Sequence, residues 1–109
     1  MLRVAWRLQS QENVYGFNVL RADTNQGPWV RVNKEVIPGH GSTGVMHEYQ
    51  YFDEGLTIGQ TYYYQVEEIT FDGRTDKITD SMAGKAKPRA YYEEKLKQAR
   101  QNEAKSDAP

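Results

Sequence analysis

Leu56-Thr57-Ile58-Gly59-Gln60-Thr61-Tyr62-Tyr63-Tyr64-Gln65-Val66 decides how this chain is read. Leu56, Gly59 and Tyr62 stand three apart, as a turn would place them. Tyr62, Tyr64 and Val66 then alternate with Tyr63, Gln65 and Glu67. Period two marks a half-buried strand, whose successive side chains face opposite ways. Tyr62 is its first inward residue. A tyrosine there can bury its ring while its hydroxyl returns a hydrogen bond to the backbone near the turn, the corner arrangement of β-sandwiches. Tyr62, Tyr64 and Val66 are therefore expected inside, with Tyr63 and Gln65 outside.

The same period extends outward as far as Pro88, between short clusters of Gly, Asn, Asp and Pro. Leu2, Val4, Trp6 and Leu8 alternate with Arg3, Ala5 and Arg7, which predicts a strand with one wet face. A polar turn is expected around Gln11-Glu12-Asn13, with Phe17 and Val19 leading the next strand. Trp29, Val30 and Val32 predict a short third strand after the Asn25-Gln26-Gly27-Pro28 turn. Ile37 to Gly44 is glycine-rich and is expected to be a surface loop. Tyr49, Tyr51 and Phe52 mark a fourth strand, and residues around 60–70 a fifth and longest. Asp72-Gly73 predicts a tight turn into a final strand near 74–83. The expected core is Trp6, Phe17, Val19, Tyr51, Leu56, Tyr62, Tyr64 and Val66.

After Pro88 the pattern changes. Residues 89–105 contain no Gly or Pro and are rich in helix formers. Tyr92, Leu96 and Ala99 fall on one face, and Glu93 and Lys97 are spaced as a helix-supporting ion pair. The apolar stripe is thin. The helix is expected to dock only through Tyr91-Tyr92 and to fray beyond about residue 102, with residues 106–109 disordered. The expected division is a sandwich over 1–86 and a helical tail over 87–109.

Composition narrows the function classes. The 109 residues hold one modest domain, to whose core eight tyrosines and two tryptophans contribute much of the buried area. A net charge of −1 provides no global field toward nucleic acid or an anionic membrane. The absence of cysteine excludes disulfides, thiolate metal sites and cysteine nucleophiles. Met1 to Leu8 carries charges within its apolar pattern, unlike a signal peptide. No run approaches the roughly 18–20 apolar residues of a membrane span.

With the strands placed, residues 4–84 resemble a fibronectin type III-like domain, of the immunoglobulin-like fold, in a variety found as bacterial accessory modules. Val4-Ala5-Trp6 is similar to the tryptophan strand. Gly16-Phe17-Asn18-Val19-Leu20-Arg21 resembles the family's Gly-Phe-Asn-Val-Tyr-Arg strand. Gly27-Pro28-Trp29, Val32-Asn33, Ile37-Pro38, Tyr49 to Asp53, and Leu56 to Tyr64 continue the series. The resemblance implies an all-β sandwich used for structure or protein binding, in an extracellular or cell-envelope setting. A full domain of this family has a strand before the tryptophan strand, and here only Met1, Leu2 and Arg3 precede the pattern. The expectation is thus a sandwich lacking its first strand, followed by an added helix.

Candidate sites are sparse. His40 and His47 lie seven apart, beside Glu48, without a third ligand at a recognisable spacing, so exposed loop histidines are expected rather than a metal site. Glu67-Glu68 and Glu93-Glu94 are sequence neighbours, and on a strand such neighbours face opposite ways. Asp72-Gly73-Arg74 reverses the adhesive Arg-Gly-Asp and is read as a plain turn. Trp29 and Tyr63 could form an outward aromatic surface, and Tyr91, Tyr92 and Leu96 a further partner surface. Lys85, Lys87 and Arg89 open a basic tail interleaved with acids, without the clear stripe that nucleic acid needs. No catalytic residue, cofactor or metal is expected. The leading expectation is a non-catalytic structural or protein-interaction module. The alternatives are an assembly subunit joined through an open sheet edge or the helix, and a carbohydrate-binding accessory domain using Trp29, His40 and His47. A protein partner or self-association is expected, without nucleic acid or membrane insertion.

Overall fold

The stretch around Tyr62 enters a strand of 10 residues in one of two antiparallel sheets. That strand, expected to be the longest, is exceeded by the 12 residues of the strand over 11–22 beside it. The computed structural model describes residues 1–106, side chains of 103–106 excepted, so of the disorder expected over 106–109 the part at 107–109 lies outside the described residues. In chain order the elements are β1 (Leu2–Leu8), β2 (Gln11–Ala22), β3 (Val30–Arg31), β4 (Ile37–Thr43), β5 (His47–Asp53), β6 (Thr61–Thr70), β7 (Thr75–Lys77), β8 (Met82–Lys85) and α1 (Arg89–Ser106). Among the described residues, β1 pairs only with β5, from Leu2 opposite Asp53 to Leu8 opposite His47. The other sheet is built on β2 and β6, joined from Val14 opposite Thr70 to Ala22 opposite Tyr63. β3 and β4 share the outer side of β2, and β7 and β8 share the outer side of β6. The protein is mostly β, sandwich-like, with one C-terminal helix.

The core lies between the sheets. β1 contributes Leu2, Val4 and Trp6, β2 contributes Val14, Phe17 and Val19, and β6 contributes Tyr62, Tyr64 and Val66. Trp6 stacks on Tyr49 at 5.7 Å and meets Phe17 edge-on at 5.6 Å, an aromatic cluster joining the two sheets. Tyr51 and Leu56 are only partly buried against this core. Tyr51 reaches across to the other sheet, its hydroxyl donating to the Val32 carbonyl at 3.1 Å.

Tyr62 closes the turn that precedes it, with its hydroxyl as acceptor: the Thr57 N–H donates to it at 2.9 Å. Gly59 takes a positive φ of 87° in that turn, where a side chain would strain the backbone. Two residues on, the buried Tyr64 hydroxyl donates to Asp53 Oδ2 at 2.7 Å, and Arg21 Nη1 donates to the same oxygen at 2.7 Å. Asp53 belongs to β5, whereas Tyr64 and Arg21 belong to β6 and β2. One buried carboxylate thus ties the sheets together. Burial and this hydrogen bond both push the Tyr64 phenol upward, so it remains a donor.

Several expectations are corrected. Ile37 to Thr43, most of the expected loop, instead forms β4, because glycine lets β2 and β4 approach closely. A Cβ on Gly39 would meet Val14 Cγ1 at 2.7 Å, and one on Gly16 would meet the Ile37 carbonyl oxygen at 2.5 Å. The expected turn at Gln11-Glu12-Asn13 lies inside β2, where Asn13 takes a φ of 58° at a register shift against β4. The third strand is shorter than expected. After Arg31, Val32 N–H still bonds Val19 O at 2.9 Å, and then the buried Asn33 side chain accepts from Val19 N–H at 2.8 Å. The final strand is split into β7 and β8, with the Thr79 hydroxyl accepting from Val66 N–H between them. The helix runs on to Ser106, past the limit expected near 102 and through the first residue expected to be disordered. Among the described residues, Glu93 pairs with Arg89 at 3.7 Å and not with Lys97.

Tyr62→Phe is expected to lose about 1 kcal/mol, because a turn N–H loses its acceptor. Asp53→Ala should lose more, about 3 kcal/mol, because it strands both Arg21 and the Tyr64 hydroxyl. Urea denaturation of both variants checks this order. Glu68 stands opposite Asp76, and burial, then the Asp76 charge, raises its carboxyl above the ordinary range. A carboxyl raised on folding binds its proton more tightly in the native state, so its ionisation destabilises the protein at neutral pH. That penalty fades as pH falls through the raised value. Glu68→Gln should therefore melt higher at pH 7, with no gain below about pH 4, where the native residue is protonated folded or unfolded.

Candidate functional site

Among the described residues, β1 is paired on one side only. The Arg3 N–H points away from β5, since it donates to the Tyr92 hydroxyl at 3.1 Å. Antiparallel pairing alternates the direction of main-chain groups, so Ala5 and Arg7 also point outward while Val4 and Trp6 face β5. The start of this outer edge is covered by residues that follow β8. Met1 and Lys87 exchange hydrogen bonds, Lys87 N–H to Met1 O at 2.8 Å and the Met1 amine to Lys87 O at 2.9 Å. Pro88 cannot continue this pairing because it has no N–H. The chain turns into α1, and Tyr92 supplies one more cap, at Arg3. Among the described residues, no strand lies beside Ala5 and Arg7.

A groove of about 390 Å³ runs between this edge and β8. Leu2, Val4, Tyr64, Met82 and Gly84 make its apolar part, and its charged lining is wholly cationic: Arg3, Lys85 and Lys87. Arg7 follows Arg3 on the same wet face of β1. None of these cations joins an ion pair among the described residues. Arg3 Nε instead donates to Gln50 at 2.7 Å, and Lys87 Nζ lies over the Tyr91 ring at 4.5 Å. Chemically, the edge offers main-chain donors and acceptors, apolar space and unpaired positive charge together.

The helix borders this region without covering it. Tyr92 meets Phe52 edge-on at 5.7 Å. Beyond that contact a wider groove of about 760 Å³ opens between α1 and β5, lined in part by Phe52, Tyr92, Leu96 and Ala99. Leu96 remains 54% exposed and Tyr91 38% exposed. Tyr91, Tyr92 and Leu96 are thus gathered beside the β1 edge.

The other candidates lie elsewhere. His40 and His47 are on β4 and β5, not in a loop, with their rings stacked at 3.7 Å. Nearly parallel rings direct their nitrogens within their own planes rather than toward a common point. His40 Nδ1 is 2.6 Å from the Tyr49 hydroxyl, which accepts from Gln11 Nε2 at 2.7 Å, and His47 Nδ1 is 2.9 Å from the Val45 carbonyl. The pair is a corner joint between the sheets. Among the described residues no group of three or more His, Asp or Glu could hold a metal ion. Asp72-Gly73-Arg74 forms its turn with Arg74 Nε donating to Asp72 Oδ2 at 2.9 Å, so its charges are turned on each other. Trp29 and Tyr63 are half-buried and make no mutual ring pair among the described residues. Lys77 Nζ lies over the Trp29 ring at 5.5 Å.

Asp53 and the cationic groove were not singled out in the sequence. Arg3 and Arg7 read there as the wet face of an ordinary strand, and Lys85 and Lys87 as part of a tail. Only the pairing of β1 places them around one gap. Among the described residues, no helix is long and apolar enough to cross a membrane. Comparison of the chain with protein-family models, with curated proteins and with solved structures returns no match.

Proposed function

We propose that this chain is a non-catalytic structural or protein-interaction module of a larger or multi-subunit assembly, a sandwich of the fibronectin type III-like kind. The observation that carries this reading is the outer edge of β1, capped at Met1 and Arg3 and, among the described residues, unpaired at Ala5 and Arg7. A sheet edge of this kind is a ready template for another chain unless something blunts it. In the family arrangement a strand would run along this edge. The rigid core beneath it, tied through Asp53 and Trp6, holds the template in a fixed shape. A partner would therefore meet little ordering cost on this side.

A second reading has its own observation. The α1 face of Tyr92, Leu96 and Ala99 borders an uncovered groove, which suits an assembly subunit joined through its helix. A carbohydrate-binding role has less support, because Trp29 lies beneath Lys77 and shares no platform with Tyr63.

Photo-crosslinking residues placed singly at Ala5, Leu96 and Ile58 in the full chain, in its native host, separate these readings. Capture of protein from position 5, with none from the exposed control position 58, is expected. Self-capture from position 96 alone would favour assembly through the helix. Failure of both positions to capture protein would overturn the interaction reading.

A further inference from the structure

We infer that the groove between β1 and β8 receives an extended, acidic segment of another protein, added as a strand along the free edge of β1. This inference rests on the interaction-module reading and specifies its partner. The main-chain groups of Ala5 and Arg7 point into the gap, and strand addition would satisfy them with ladder hydrogen bonds. Side chains of an added strand alternate in direction. One set would face the apolar part of the groove, formed by Leu2, Val4, Tyr64 and Met82. The other set would stand on the wet face beside Arg3 and Arg7.

Charge chooses the occupant. Arg3, Lys85 and Lys87 are the charged residues lining the groove, in a protein whose net charge is −1. Arg7 extends the positive row, with Glu48 opposite it on β5 as the local counter-charge. A partner strand bearing Asp or Glu at alternate positions would meet unpaired cations. A second copy of this chain would not. In antiparallel pairing of β1 with its own copy about Ala5, Arg3 of each strand would stand beside Arg7 of the other, and like charges placed opposite each other repel. The charge pattern therefore blunts self-pairing while leaving the edge open to an acidic strand.

The test uses the purified full chain and synthetic peptides as long as β1 that alternate valine with Asp or Glu, read by fluorescence anisotropy. The acidic peptide is expected to bind, and more weakly as salt rises. A peptide with lysine at every acidic position should bind at least about tenfold more weakly, as should the Arg3→Glu/Arg7→Glu variant with the acidic peptide. Ala5→Pro removes an outward N–H that β5 does not use, so an edge strand can accept it. It should weaken binding, with thermal melting as the check on folding. N-methylation of the peptide at residues facing β1 should also weaken binding, and it leaves the protein unaltered. Equal binding of the lysine peptide, indifference to N-methylation, or a β1-dependent dimer in sedimentation would overturn the proposal. If residue 5 still crosslinks to protein while the acidic peptide fails to bind, the acidic-strand chemistry alone is overturned. If neither occurs, the module reading fails with it.

Discussion

Every main-chain N–H and C=O that leaves water must find a partner, and this requirement arranges the whole molecule. β2 and β6 meet it on both sides. β2 bonds β6 along one side and divides the other between β3 and β4, while β6 divides its outer side between β7 and β8. Where the ladder is interrupted, side chains stand in: Asn33 for a strand residue beside Val19, and Thr79 beside Val66. β1 is different. It is satisfied by β5 on one side; on the other, among the described residues, the Tyr92 hydroxyl takes the Arg3 N–H and Lys87 pairs with Met1 just before the strand. The functional reading follows from that asymmetry.

The asymmetry can matter only if β1 is held firmly. A two-stranded sheet has little stability of its own and depends on packing against another layer. Trp6 supplies the packing through Phe17 and Tyr49, and Asp53 supplies a polar tie to Tyr64 and Arg21. A buried carboxylate is costly to dehydrate and is stable here because two donors converge on it. The result is a fixed edge with an apolar floor, flanked by cations left without carboxylates.

Much of this was legible in the residues. The alternation of Tyr62, Tyr64 and Val66 is strict, and the turn before it carries its own glycine, so local pattern and tertiary placement agree. The helix was equally plain in composition. The glycine-rich β4 was not, because its glycines serve close approach to β2, a property of two strands rather than one. Asp53 was hidden for a similar reason. Nothing beside it in the chain reveals that Arg21 and Tyr64 will meet it. The site was the least legible part, since a free edge is defined by which strands pair. Arg3, Ala5 and Arg7 look like any outward-facing residues until the topology leaves them without a neighbour.

Residue-resolved hydrogen exchange along β1 of the purified protein, free of partners, measures this asymmetry directly. The amides of Val4 and Trp6 should exchange slowly, through the large-scale opening that governs the core. Those of Ala5 and Arg7 should exchange at least about a hundredfold faster, as unprotected edge groups do. Equal protection of all of these amides would contradict the free edge, and with it the functional reading.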